Sequence, residues 1–191
     1  MIGLLVGTIF VLRARRPGLP ALDPAFERAK GPVSAPIQII EYSDFQCPAC
    51  REAQSELSQL LTAHPEQIRL VYQHFPLEGH RWALVAHQSA ECAALQGQFW
   101  PYHDRLYLEQ AVWSIALGTP LETFVRYAKE LGLDLDRFSR CLGDPVVSRE
   151  IQAEKLAGVG LGVRSTPSFF VNGNLVVSVK SLREEIGKLA Q

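Results

Sequence analysis

Glu41-Tyr42-Ser43-Asp44-Phe45-Gln46-Cys47-Pro48-Ala49-Cys50 decides how the rest of the chain is read. An apolar, β-branched run from Ile37 to Tyr42 breaks at Ser43-Asp44 and delivers two cysteines into the first turn of a helix. Pro48 falls where a helix tolerates proline best, because the first-turn N–H has no intrahelical partner. Cys47 and Cys50 are three apart, so on a helix they share a face and can close a small disulfide. Unpaired backbone N–H groups and the macrodipole at the helix start favour a thiolate at Cys47. A strand followed by C-x-x-C at a helix start is the layout of a dithiol redox site.

A bare C-x-x-C is also half of a zinc site, or two packed cysteines. Zinc takes four protein ligands, or three and a water, at recognisable spacing. The sequence offers no second C-x-x-C and no paired histidines at metal spacing near this one. Redox chemistry is therefore the working reading, with metal binding by Cys47 and Cys50 as the competing one.

Working outward, Cys50 to Thr62 has helical periodicity, with Leu57, Leu60 and Leu61 inward. Gln67 to Phe75 alternates as a second strand. Strand, helix, strand with a short linker predicts a parallel pair with a right-handed crossover. From His80 to about Gly160 the pattern is helical: Arg81 to Gln96, Phe99 to Glu109, a helix capped by Thr119 running to Leu131, Asp134 to Leu142, and Pro145 to Ala157. Strand signal returns at Ser168 to Asn172 and Leu175 to Val179, two runs joined by Asn172-Gly173 and read as a hairpin. Ser181 is expected to cap a last helix to Leu189. The fold class is thus α/β: βαβ, an all-helical inserted lobe, then ββα.

The amino end differs in character. Ile2 to Leu12 is mostly apolar and abuts Arg13, Arg15 and Arg16. Eleven helical residues rise about 17 Å, roughly half a bilayer core. Arginines on that side would place the domain in the cytoplasm, against the cysteine usage. The reading that reconciles the two is a membrane anchor over 1–16 whose translation starts upstream of Met1; a short core helix is the alternative. Residues 17–34 carry Pro17, Pro20, Pro24 and Pro32 and are expected to be a linker. The remaining boundaries are 35–78 for the first α/β part, 79–161 for the helical insertion and 162–191 for the second part.

Composition excludes some functions. The chain has 191 residues, 47% hydrophobic and 20% charged, with formal net charge −1. That is an ordinary globular balance without the basic stripe nucleic acid requires. One methionine gives no methionine-rich copper surface.

Four motifs in order now bear on family: Tyr42 to Cys50, His74-Phe75-Pro76-Leu77, Ala90-Glu91-Cys92-Ala93, and Thr166-Pro167-Ser168-Phe169-Phe170-Val171-Asn172-Gly173. From about Ala35 to Ala190 the chain resembles the DsbA-like thiol–disulfide oxidoreductases, in particular their membrane-anchored bacterial branch, a thioredoxin fold with a helical insert. The resemblance implies that Cys47 is the exposed nucleophile and Cys50 the resolving cysteine. It implies a cis-proline loop at Thr166-Pro167 facing them, where substrate backbone pairs. It implies a buried acid at Glu41 that takes the proton of Cys50; Glu41 facing solvent is the alternative. It further implies a structural Cys92–Cys141 disulfide, against two unpaired cysteines.

The dipeptide Pro48-Ala49 departs from the best-known oxidising members, which carry histidine beside the second cysteine. A less oxidising protein is expected. No cofactor beyond the redox-active disulfide is implied. The implied partners are exported cysteine-containing polypeptides and a quinone-linked membrane protein that reoxidises the site. The implied location is the membrane, with the catalytic domain in the periplasm or at the cell exterior. A reductase or isomerase is the same chemistry reversed. His74, His80 and His87 are read as structural histidines, and Phe99, Trp100 and Tyr102 as lobe core.

Overall fold

The computed structural model describes residues 28–189. The expected membrane anchor and most of the expected linker lie outside them. Among the described residues no helix is long and apolar enough to cross a membrane.

The element order is β1 (Ala29–Lys30), β2 (Ile37–Ser43), α1 (Pro48–Ala63), β3 (Ile68–His74), α2 (Ala83–Ala94), α3 (Phe99–Leu108), α4 (Gln110–Trp113), α5 (Leu121–Glu130), α6 (Leu135–Leu142), α7 (Pro145–Gly160), β4 (Ser168–Val171), β5 (Asn174–Val177) and α8 (Val179–Leu189). The strands form one sheet in the order β1-β3-β2-β4-β5. β2 and β3 are parallel, with Glu41 beside Tyr72, and the other pairs are antiparallel. The split α/β arrangement is therefore realised, with α2 to α7 forming the insert.

The period of two in β2 decides what each side chain meets. Ile37 and Ile39 point to the face covered by α1 and α8, where they pack with Ala53, Leu57, Phe169 and Leu182. Ile40 and Tyr42 point to the other face, against Phe75, Val163 and Phe170. Glu41 continues the Ile37–Ile39 row and so lies under α1, fully buried. The lobe has its own core, built on Phe99, Tyr102, Phe124, Tyr127 and Phe138, and it reaches Phe45, Cys47 and Cys50. Phe99 and Tyr102 are core as expected, while Trp100 is half-buried beneath the Lys30 ammonium.

Several local expectations need correction. Ala29–Lys30, inside the expected linker of 17–34, pairs with Val71 and Leu70 as an edge strand. Gly31 lets it do so: at φ +85 it sits where a Cβ would lie 2.0 Å from the Ile68 carbonyl. Thr119 does not cap α5; Pro120 holds that position, and its carbonyl accepts from Phe124 N at 3.0 Å. Ser181 lies inside α8, and Ser178 Oγ accepts from its amide at 3.3 Å. The hairpin is as expected, with Asn172 at φ 47 and Gly173 at φ 87 between β4 and β5.

Candidate active site

Cys47 is the N-cap of α1, Pro48 its first residue, and Cys50 lies within its first turn. The Cys50 and Arg51 amides donate to the Cys47 carbonyl at 3.1 and 3.2 Å, so helix geometry fixes the second cysteine relative to the first. Both cysteines are free thiols. Cys47 is 7% exposed, which corrects the expectation of an open nucleophile. Its thiol faces the Thr166 carbonyl at 3.6 Å, because the Thr166-Pro167 loop folds over it. That peptide bond is cis, as the resemblance implied.

The two sulfurs are driven apart chemically. The side chain of Cys50 leads in lowering Cys47 to about 5, against the cost of burial, with Thr166 and the amides of Cys50 and Ala49 adding to it. Burial leads in pushing Cys50 well above the ordinary thiol range, and the neighbouring Cys47 adds to it. One thiol of the pair is thus a thiolate at neutral pH and the other is not. The Asp44 amide donates to Cys50 Sγ at 3.5 Å.

Glu41 is fully buried, which overturns the solvent-facing alternative. Burial raises its carboxyl to about 7, with Ser43, Gln54 and Lys30 pulling the other way. Gln54 Nε2 donates to Glu41 Oε1 at 2.9 Å and lies 3.4 Å from the Cys50 carbonyl. Glu41 Oε2 has no hydrogen-bond partner. A cleft of about 520 Å³ between α1 and α3, lined by Lys30, Arg51, Gln54, Trp100, Asp104 and Tyr107, opens beside this link.

Two glutamines that sequence reading missed tie the active-site turn to the insert. Gln110 Nε2 donates to the carbonyls of Phe45 at 2.7 Å and Cys47 at 2.9 Å. Gln46 Nε2 donates to the Ser114 carbonyl at 3.1 Å, while its Oε1 accepts from the Trp82 amide at 2.7 Å. No local signal could have found Gln110, which lies 63 residues from the carbonyl of Cys47.

Cys92 and Cys141 form a disulfide between α2 and α6, with Cα atoms 5.7 Å apart. The expected pairing is present. Among the described residues no three metal-ligating side chains converge on one point.

A family model described as Thioredoxin matches residues 26–188. The chain belongs to that family. Within it, the fold is DsbA-like. A thioredoxin-like oxidoreductase from Silicibacter pomeroyi DSS-3 is 28% identical with a TM-score of 0.68, over 85% of this chain and 91% of that one. Pseudomonas aeruginosa DsbA2 is 25% identical with a TM-score of 0.69, over 87% and 95%. Among curated relatives, Na(+)/H(+) antiporter NhaA 1 of Salinispora arenicola is 41% identical over 154 residues, 80% of this chain and 22% of that protein. The chain thus spans about a fifth to a quarter of the length of the curated relatives it matches.

Proposed function

We propose that this chain is a thiol–disulfide oxidoreductase that works outside the cytoplasm as a dithiol oxidase for exported polypeptides. The observation that carries the reading is the asymmetry of the sulfurs, Cys47 lowered to about 5 and Cys50 raised. A stabilised Cys47 thiolate is a good leaving group and favours the reduced enzyme, which makes the disulfide form an oxidant.

The exchange runs in two displacements. A substrate thiolate attacks Cys47 Sγ, the Cys47–Cys50 bond breaks, and its electron pair leaves on Cys50 Sγ, which takes a proton. A second substrate thiolate then attacks the substrate sulfur of the mixed disulfide and expels the Cys47 thiolate. The substrate loses two electrons and the enzyme gains them. Glu41, with Oε2 open and its carboxyl near 7, is the group suited to accept the Cys50 proton when the site is reoxidised. The Thr166-Pro167 loop, already against Cys47, is where the substrate backbone would lie.

The Cys92–Cys141 disulfide supports an oxidising compartment. The apolar run ahead of Arg13 supports a membrane tether, and relatives that are ion antiporters support a place at a membrane. Reoxidation by a quinone-linked membrane protein completes the cycle in this reading.

One observation favours the reverse direction, a reductase or isomerase: Ala49 supplies no charge beside Cys50. Equilibrating the purified chain with glutathione separates the two. A potential of about −120 to −180 mV supports the oxidase, and one near −270 mV makes the reduced form the working one.

A further inference from the structure

Behind the redox loop runs a buried polar chain that the exchange mechanism does not use. Asp44 is fully buried, and its carboxylate collects donors from three places. Gln46 N reaches Oδ1 at 2.8 Å, while Leu77 N and His80 Nδ1 reach Oδ2, each at 2.8 Å. The Asp44 amide donates to Cys50 Sγ. One residue therefore touches the deeper sulfur with its backbone and the turn after β3 with its side chain.

The chain continues inward. His87 of α2 has Nε2 3.7 Å from Asp44 Oδ1, with no hydrogen-bond partner. Its Nδ1 lies 2.6 Å from Nδ1 of His74 on β3, and His74 Nε2 lies 3.1 Å from Glu91 Oε2. Burial pushes His74 well below the ordinary histidine range, so its ring is neutral with one proton. That proton belongs on Nε2, facing the Glu91 carboxylate, and His87 must then donate from its own Nδ1. Arg28 closes the chain against Glu91 and Glu154. The ionisable groups around Asp44 are therefore His80 from the turn, His87 from α2, His74 behind it, and Cys50 from α1. His80 is the one on the solvent side, its side chain 27% exposed.

We propose that Asp44 and His80 are a positioning pair for Cys50: His80 Nδ1–H holds the Asp44 carboxylate in place, and the carboxylate holds the Asp44 amide on Cys50 Sγ. Without the His80 donor, a less compensated carboxylate faces a sulfur that must become a thiolate, and the amide that stabilises that thiolate is no longer clamped. Both effects slow the step in which Cys50 attacks. The proposal rests on the thiol–disulfide reading and adds residues to that site.

The test is single-turnover resolution of the Cys47–glutathione mixed disulfide, followed from pH 5 to 9. Cys50 loses its proton and attacks Cys47 Sγ, the bond to glutathione breaks, and glutathione leaves with the electron pair. His80→Ala is expected to slow this step about fivefold and to move its pH midpoint upward. His80→Asn, whose side-chain amide donates from near the place of Nδ1, is expected to return within about twofold of wild type. Asp44→Asn, if folded, is expected to be at least as slow as His80→Ala. Should it not fold, the His80 pair decides alone. A wild-type rate and pH profile in His80→Ala, or equal slowing in His80→Asn and His80→Ala, would overturn the proposal. A wild-type chain that forms no mixed disulfide would instead overturn the exchange reading itself, and the proposal with it.

Discussion

Gln54 and Glu41 are joined by a hydrogen bond of 2.9 Å that links the first helix to the buried acid beneath it. Gln54 also reaches the Cys50 carbonyl and lines the cleft between α1 and α3. The acid therefore meets the active-site helix through an amide, and its other oxygen is left open. Glu41→Gln is expected to slow mixed-disulfide resolution most above pH 7, where the native carboxylate could accept a proton. The same variant has a stability signature. Burial raises the native carboxyl from 4.5 to about 7. Between those values the folded state holds a proton that the unfolded state has lost, so this contribution is full below about pH 4.5 and is lost as pH rises to about 7. Denaturant midpoints of wild type and Glu41→Gln should diverge across that window and run parallel outside it. Parallel curves throughout would rule out a buried titrating acid.

Cys47 shifts in the opposite sense. Its native value of about 5 lies below the ordinary 9.0. The unfolded thiol holds a proton that the folded thiolate has lost, so the reduced protein gains stability as pH rises from about 5 to 9 and loses it as pH falls. Thiolate absorbance near 240 nm should titrate close to pH 5 in the reduced protein. That signal should be absent in Cys47→Ser. A midpoint near 9 would contradict the asymmetry on which the oxidase reading stands.

Much of this was legible in the chain because the signals are local. The apolar run from Ile37 located β2, period-two alternation located β3, Asn172-Gly173 located the hairpin, and Cys47-Pro48-Ala49-Cys50 located the redox turn. What was illegible depends on distant partners. Ser43-Asp44 reads only as the end of a strand, yet Asp44 is held by Leu77 and His80 from another loop. Ala29-Lys30 reads as part of a proline-rich tether because two residues carry no period; only the free edge of β3 makes them a strand. The burial of Cys47 has no local signal either: Thr166, which only the family resemblance places opposite it, comes over it from 119 residues away.

The Cys92–Cys141 bond closes a loop of 49 residues between two lobe helices. In the chain-entropy model such a loop is worth about 4 kcal/mol. Replacing both cysteines with serine should lower the denaturant midpoint accordingly. The glutathione equilibrium of Cys47 and Cys50 should stay within about twofold, because the lobe bond joins α2 to α6 and leaves α1 free of it. Loss of redox activity in a folded double variant would mean that the lobe bond takes part in exchange.

Gln110 makes a sharper demand on the insert. Its side-chain amide satisfies two buried carbonyls, those of Phe45 and Cys47. Gln110→Ala should cost about 2 kcal/mol by taking the donor from the buried Phe45 carbonyl and leaving the Cys47 carbonyl with its helix amides alone. It should also raise the Cys47 midpoint, since the N-cap of α1 loses its outer support. Gln110→Glu, which offers no donor, should do no better. A stable variant with an unchanged thiolate titration would show that α4 merely covers the site.

Gly158 tests the packing on the opposite face of the sheet. A Cβ there would lie 2.7 and 2.9 Å from Tyr42 ring carbons and 3.2 Å from Phe75. Two effects compete in Gly158→Ala, a better helix former against a collision with a fully buried ring. Helix propensity offers about 1 kcal/mol, while overpacking a filled core costs about 1–3 kcal/mol. Tyr42 is pinned edge-on between Phe75 and Phe170, so the collision should win. Gly160→Ala, two residues on in the same helix, meets no atom within 4 Å and supplies the control. Urea midpoints should fall for the first variant and stay level or rise for the second. A rise in both would mean that α7 can lift from Tyr42 at little cost, and that the strand leading to Cys47 is less firmly held than this packing implies.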